Sequence, residues 1–590
     1  MNLRLSCILP VAVALSLAAC SPVPMNSAAD TADAPMDGFS PIRETHHRGA
    51  DDLLSAGLGI EGLRAATAPA VGQAEAPTAA ELRRRAIWAN WRGIADLRPG
   101  GGAGDELAFV PGREFSAFAT LSGATQPHRV LLQLPDHFDP ARACLVIAPA
   151  SGSRGVYGAI AVAAPWALPR GCAVVYTDKG AGTDYVDLAR VQGVKLDGTL
   201  APGLTGTSAF VPETGADTGI SFKHAHSRDN PEADWGRHVR QAAEFGLAVL
   251  ADTFPERAPF TAANTRVIAV GISNGGGAVL RAAEIEDDLL DAVVAGEPNI
   301  YVDAPGARPL YDYATLAARL MPCAVLDLED WPQPPMPDAL RAVGTQRCKS
   351  LAARGEVGGS SLAAQARDAR ALLRAAGFDD YALHSGATTT GFDLWRAVAA
   401  TYASSYGLFA AGAHACGFDY ALLDEHGAPR PSTQAERALW WSDASGIPSG
   451  NGIVLLDPNR AGADPDLPGL DCLRALWTGT GAASVRVQSG VAATRGALPR
   501  PDLPVVIVHG RDDGLIPVAF SSAPYVAMAR AAHRPVTFWQ IPNAQHFDAF
   551  LALPDYGRRY VPLLPTVHAA LDAVWAHLDN HTIQIPPQAP

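Results

Sequence analysis

The sequence predicts an α/β protein: a mostly parallel sheet with helices on both faces, plus a large, mainly helical insertion. Three observations carry this. Short apolar runs, unbroken at 145–148, 173–176, 267–270, 292–295 and 505–508 and interrupted once by Gln133 at 130–134 and by Thr537 at 536–539, read as strands. Unbroken runs, unlike alternating ones, belong to strands buried on both faces, as in parallel sheets between helix layers. Helical periodicity lies between them: Val239, Ala242, Ala243, Gly246 and Val249 share a face within 235–250, a helix is expected over 276–284, and Val567, Leu571, Val574 and Leu578 share a face within 566–578. From 301 to 497 the strand–helix rhythm lapses into helical patches and polar loops, the sign of an inserted lid.

The rest of the chain is divided by composition. Arg4 precedes an apolar run at 8–17 that is too short for a permanent membrane helix, and the run ends in Leu17-Ala18-Ala19-Cys20. This resembles a bacterial lipoprotein signal, so residues 1–20 are expected to be a signal peptide with Cys20 as the lipidated residue; an ordinary export signal is the alternative. Ser21, where such lipoproteins carry Asp for inner-membrane retention, points outward. Residues 21–50 read as a flexible tether and 51–104 as an N-terminal extension with an amphipathic piece at 80–91. The catalytic core is expected over 105–300 and 498–590, and the lid over 301–497.

Of 590 residues, 48% are hydrophobic, ample for a core. The net charge of −14, with no block of Lys or Arg to reverse it locally, argues against a phosphate-backbone partner such as nucleic acid. Eight cysteines are present; without Cys7 and Cys20 an even set of six remains, which in an exported chain suggests disulfides. Cys144 and Cys172 each open an expected strand, and neighbouring strands would bridge them. Within the insertion the expected pairs are Cys323 with Cys348 and Cys416 with Cys472. No Cys/His spacing suggests zinc.

The chemistry centres on Gly271-Ile272-Ser273-Asn274-Gly275, directly after a buried strand and before a helix. In G-x-S-x-G the glycines permit a sharp, strained turn, and the serine stands at a helix N-terminus where N–H groups face developing negative charge. A serine hydroxyl needs a base, and the base an orienting acid. After the strand at 505–508 comes His509-Gly510-Arg511-Asp512-Asp513, with Asp513 the expected acid and Asp512 the near alternative. His546 follows the last strand, where the base belongs in the chain order Ser, acid, His of α/β-hydrolases. The N–H of Asn274 is one expected oxyanion donor; Gly152 or Ser153, in the glycine-rich turn after the strand at 145–148, supplies the second. Lys223-His224-Ala225-His226-Ser227 lacks a third ligand at a metal-site spacing and reads as a polar loop near the site entrance. Asp464-Pro465-Asp466 reads as a solvated turn.

Several longer blocks resemble the bacterial 3-hydroxybutyrate oligomer hydrolases. They are Ser151-Gly152-Ser153-Arg154-Gly155-Val156-Tyr157-Gly158, Gly171-Cys172-Ala173-Val174-Val175-Tyr176-Thr177-Asp178-Lys179-Gly180, Lys223 to Ser227 with Asn230-Pro231-Glu232 and Trp235-Gly236, and Ser273-Asn274-Gly275-Gly276-Gly277-Ala278. The resemblance implies an α/β-hydrolase fold and hydrolysis of short (R)-3-hydroxybutyrate oligomers to monomers, downstream of a polyester depolymerase. It implies small ester oligomers as partners and no metal or organic cofactor. Two other readings are a tannase- or feruloyl-esterase-like exported carboxylesterase and a non-catalytic surface lipoprotein on a hydrolase scaffold. The first would bring paired cysteines beside the serine and histidine; the intact Ser, Asp, His order opposes the second.

Overall fold

The computed structural model describes residues 38–328, 336–442, 446–553, 556–581 and 584–589. The expected signal peptide, Cys20 and the start of the tether lie outside them. Nine strands form one sheet: β1 (Arg43–His47), β2 (Gly112–Ala119), β3 (His128–Pro135), β4 (Cys144–Pro149), β5 (Ala173–Thr177), β6 (Arg266–Ile272), β7 (Ala292–Gly296), β8 (Val505–Gly510) and β9 (Val536–Ile541). Their order is β1-β2-β3-β5-β4-β6-β7-β8-β9. Pairing is antiparallel from β1 through β3 to β5 and parallel across the rest.

The apolar runs form strands because both faces are covered. One face carries Val146, Ala148, Val174, Tyr176, Ile268, Val270, Val506 and Val508 against α1 (Ala79–Ile94) and α2 (Ile160–Ala167). The other carries Leu145, Ile147, Val175, Val267, Ala269, Val505 and Ile507 against α3 (Trp235–Thr253), α4 (Asn274–Ala282) and α5 (Ser522–Ala531). The last helix, α6 (Leu564–Asp579), returns to the first face through Val567, Leu571 and Val574. Successive strand residues serve opposite layers, so each aliphatic side chain contributes about 1.5–3 kcal/mol by burial. An aspartate at Ile147 would strand a charge between two layers.

Two N-terminal expectations are corrected. The tether does not extend to 50, because β1 pairs with β2 from Arg43↔Ser116 to His47↔Gly112. Strand β2 itself falls in a stretch where no strand was expected. The extension is part of the domain: Arg83 of α1 reaches the buried Glu114 of β2 with Nε and Nη2 at 2.9 Å, and Tyr157 donates to the same carboxylate at 2.8 Å.

The insertion is mainly helical, as expected. Its helices Leu310–Ala324, Asp338–Ala353, Leu362–Ala375, Asp380–Gly391, Leu394–Gly407, Leu467–Thr478 and Ala482–Ala493 enclose a core of their own. It also holds a small sheet of Asp419–Leu423, Pro429–Arg430 and Val454–Leu456. A piece of the expected catalytic core joins it: Tyr185–Asp187 pairs with Ile220–Phe222, and Tyr185 and Phe222 pack with Tyr420 and Trp440. Asp464 is not solvated; it is buried, and its carboxylate takes the Arg347 Nε at 2.6 Å.

All three expected disulfides are present: Cys144–Cys172, Cys323–Cys348 and Cys416–Cys472. The first ties the N-terminal ends of the parallel neighbours β4 and β5, where Leu145 stands opposite Ala173. Among the described residues, no helix is long and apolar enough to cross a membrane.

Candidate active site

Ser273 follows the last residue of β6 at φ 56°, ψ −125°, a conformation that costs a non-glycine residue about 1–3 kcal/mol. The surroundings enforce it. The Ser273 N–H donates to the Gly296 carbonyl at 3.0 Å, and the Ser273 carbonyl accepts from Asn299 and Gly277, each at 3.0 Å. The flanking glycines are required by close approach: a Cβ on Gly271 would meet the Gly275 carbonyl at 2.3 Å, and one on Gly275 the Pro149 carbonyl at 2.5 Å.

The loops after β8 and β9 bring the other two groups in. The Nε2 of His546 lies 3.1 Å from the Ser273 Oγ, and its Nδ1 lies 2.7 Å from Asp513 Oδ2. Asp513 Oδ1 accepts the N–H groups of Leu515 (2.8 Å) and Ile516 (2.7 Å). Asp512 points elsewhere and accepts from the Asn543 N–H at 3.0 Å, so the structure joins Asp513, and not its neighbour, to His546. Burial would push the Asp513 carboxyl up, but the charge of His546 and hydrogen bonds from His509 and His546 hold it well below the usual carboxylate range. Ser273, Asp513 and His546 are all buried.

The turn after β4 lies beside them. Gly152 has φ 50°, and the N–H groups of Gly152, Ser153 and Asn274 have no hydrogen-bond partner among the described residues. These donors, with Ser273 and His546, line a cavity of about 110 Å³. Leu394, Val398 and Tyr402 of the lid helix Leu394–Gly407, with Ile447 and Leu515, supply its apolar wall.

Sequence reasoning missed several residues here. His509 is buried; its Nε2 lies 3.2 Å from Asp513 Oδ2 and 3.0 Å from the Ile516 carbonyl, and its Nδ1 lies 2.7 Å from Ser522 Oγ, so the ring braces the acid. Its place four residues before Asp513 was the available signal. Glu297, just past β7, lines the cavity with one carboxyl oxygen buried and unbonded. Burial, then the charges of Asp513 and Asp548, push its carboxyl well above the usual range. Ligand atoms of Glu297, Asp513 and His546 lie within 4.8 Å of one another, the spacing of a metal site. Asp513 and His546 are already bonded to each other, and burial disfavours the ionised Glu297 that a metal would need.

The segment from Lys223 to Ser227 is not an entrance loop. Lys223–His226 is a fully buried helical turn. Lys223 Nζ lies 3.5 Å from Asp184 and 3.7 Å from Asp178, while His224 joins Ser153 to Glu232.

A strained serine on a strand-to-helix turn, hydrogen-bonded to a histidine that is bonded to a buried aspartate, all at one end of this sheet, defines a serine hydrolase of the α/β-hydrolase fold. The chain belongs to the 3HB-oligomer hydrolase family (3HBOH), whose profile matches residues 17–589. A D-(-)-3-hydroxybutyrate oligomer hydrolase of Paraburkholderia xenovorans is 38% identical over 93% of this chain and 86% of its own. One from Paracidovorax citrulli is 36% identical over 91% of this chain and 87% of its own. Among solved structures, feruloyl esterase B from Aspergillus oryzae covers 77% of this chain and 78% of its own at 13% identity and a TM-score of 0.33. The tannin acyl hydrolase from Aspergillus niger covers 76% of this chain and 78% of its own at 12% identity and a TM-score of 0.30. Likeness of that degree says nothing about substrate.

Proposed function

We propose that this protein hydrolyses short (R)-3-hydroxybutyrate oligomers to monomers through an acyl-enzyme. The observation that carries the chemistry is the unbroken hydrogen-bonded chain from Ser273 through His546 to Asp513 at the cavity. Family membership carries the substrate class. Ser273 Oγ attacks the ester carbonyl while His546 Nε2 takes its proton; the tetrahedral oxyanion faces the N–H groups of Asn274 and of Gly152 or Ser153. The carbonyl reforms, the alcohol leaves with the proton from His546, and water repeats the sequence to release the acid. Asp513 keeps the His546 Nδ1 protonated, so that Nε2 can accept. The bonded triad opposes a non-catalytic scaffold. All six cysteines of the described chain are joined to one another, which leaves none as the bridge beside Ser273 and His546 expected of the tannase-like reading.

The test is product analysis. Dimers and trimers should yield monomer, with little release from high-polymer granules. Efficient cleavage of gallate or ferulate esters with untouched dimers would refute the substrate and leave the mechanism standing. We further propose that the chain is exported, to the outside or to the outer membrane through lipid on Cys20. Three disulfides suit an oxidising compartment. Mass spectrometry of the mature N-terminus decides it: a start at Cys20 with added lipid mass supports the anchor, and an unlipidated start elsewhere removes it.

A further inference from the structure

A second relay faces the same cavity. Ser153 Oγ lies 2.5 Å from His224 Nδ1, and His224 Nε2 lies 2.6 Å from Glu232 Oε1. The other Glu232 oxygen accepts from Ser405 Oγ at 3.0 Å. All four residues are buried, and Ser153 lines the cavity beside Ser273 and Asn274. The turn that carries Ser153 is clamped from both sides: Lys179 Nζ donates to the Gly152 carbonyl at 2.6 Å, and the Gly446 N–H donates to the Ser153 carbonyl at 3.0 Å. The neighbouring donor is held by the same surroundings, because Tyr402 packs edge-on against His224, with centroids 5.0 Å apart, and accepts from Asn274 Nδ2 at 2.7 Å.

A serine and histidine this close, with a carboxylate behind the histidine, would usually be read as nucleophile and base. Here the nucleophile's place is already taken: Ser273 has the strained turn and the helix N-terminus, while Ser153 stands in the turn whose N–H groups face the oxyanion. We propose that the Ser153 hydroxyl is a third donor to the oxyanion, polarised by the His224–Glu232 pair; this rests on Ser273 being the nucleophile. In the proposed arrangement both ring nitrogens of His224 act as donors. Nε2–H then donates to Glu232 and Nδ1–H to Ser153 Oγ, which leaves the hydroxyl hydrogen free to turn into the cavity. Burial raises the Glu232 carboxyl, but the charge and hydrogen bond of His224 more than offset it, so the acid stays ionised. A hydroxyl that accepts from a ring N–H is a better donor, and a fixed donor in a buried site needs no reorganisation when negative charge appears.

The test uses full-length enzyme with Ser153→Ala and the near-isosteric Ser153→Cys, a poor donor. Each should lose about 10²–10³ in kcat, the usual cost of one oxyanion donor, with KM changed by no more than about threefold. A boronic acid that forms a tetrahedral adduct on Ser273 should lose affinity by the same factor as kcat/KM, while affinity for the product 3-hydroxybutyrate stays put. Thermal midpoints and titration of active sites with a nitrophenyl ester keep folding separate from chemistry; if Ser153→Ala does not fold, Ser153→Cys carries the reading. Turnover within about twofold of the parent would overturn the proposal, and so would boronate affinity that does not follow kcat/KM. A fluorophosphonate adduct on Ser153 in Ser273→Ala would overturn it by making Ser153 a nucleophile. Ser273→Ala that retains full turnover would instead sink the catalytic assignment on which the proposal rests.

Discussion

Replacing Asp513 by asparagine separates the triad's electrostatics from its geometry. The acid accepts four hydrogen bonds: Leu515 N and Ile516 N on Oδ1, His546 Nδ1 and His509 Nε2 on Oδ2. An amide keeps one oxygen. Turning that oxygen to the histidines would set an NH₂ group against two buried backbone N–H groups, at about 1–3 kcal/mol for each orphaned donor. The oxygen therefore stays with Leu515 and Ile516, and the NH₂ faces His546. His546 must then accept at Nδ1, which puts its proton on Nε2, pointing at Ser273 Oγ. In that tautomer the ring cannot take the serine proton. The expected loss is about 10⁴ in kcat, roughly 5.5 kcal/mol in the barrier.

Asp512→Asn is the matched control. Its carboxylate accepts a single Asn543 N–H, which an amide oxygen can also accept, and it does not touch the ring. Turnover should stay within about threefold. The assay is kcat and KM on a 3-hydroxybutyrate dimer and on a small nitrophenyl ester, with thermal midpoints for both variants. The carboxyl of Asp513 is depressed on folding, so its stabilisation is present above the unfolded value, near 4, and is lost as pH falls through the native one. Asp513→Asn should thus also lower the midpoint at pH 7, less so near pH 2. A parent-like rate in Asp513→Asn, or a larger loss in Asp512→Asn, would refute the tautomer argument.

Other expectations follow from buried acids and cross-links. Glu284 is pushed up to about 7 by burial, so its share of stability is intact below about pH 4.5 and is lost as pH rises through 7. Glu284→Gln should flatten the decline of stability between pH 5 and pH 8, by at most about 3 kcal/mol as read by denaturant titration; an unchanged slope would count against a part-buried carboxyl that holds its proton. Burial raises the Glu297 carboxyl well above the usual range, so Glu297→Gln should keep kcat at pH 7 within about threefold, and a thousandfold loss would mean that it works as a carboxylate. Removing Cys416–Cys472, which spans 56 residues, should cost about 4 kcal/mol by chain entropy, measurable by denaturant titration.

The parts legible in the sequence are those where one residue type has one physical reading. Short apolar runs rich in Val and Ile, too brief for helices, read as strands covered on both faces, and strands β3 to β9 lie where those runs are. Ser273 was legible because glycines crowd it for steric reasons, and Asp513 and His546 because loops after strands face the same end of a parallel sheet. The cysteine pair 144–172 was legible because each residue opens an apolar strand. Strands β1 and β2 were not legible. Arg-Glu-Thr-His-His has no apolar face, and Gly-Arg-Glu-Phe-Ser-Ala-Phe-Ala interrupts its own with Arg113, Glu114 and Ser116. Both are strands because Glu114 finds Arg83 from a helix some thirty positions earlier, a pairing that local pattern cannot foresee.

The same limit hid the relay behind Ser153. Its parts were all read: Ser153 as a backbone donor, His224 as a polar loop residue, Glu232 as a mark of resemblance. Read one at a time, a histidine among polar residues is most economically a solvated one. What changes its meaning is enclosure. Tyr185, Phe222, Tyr420 and Trp440 close over the segment that carries it, and no periodicity showed that residues 185–222 leave the catalytic core to join the lid. Once water is excluded, the Glu232 charge depends on the groups bonded to it, and His224 and Ser405 are those groups. Among the described residues, the other group bonded to the His224 ring is the hydroxyl of Ser153, in the oxyanion turn. The lid therefore does more than cover the cleft: it buries His224 and Glu232 together, and Ser153 is where that bonded pair meets the cavity of the reacting ester.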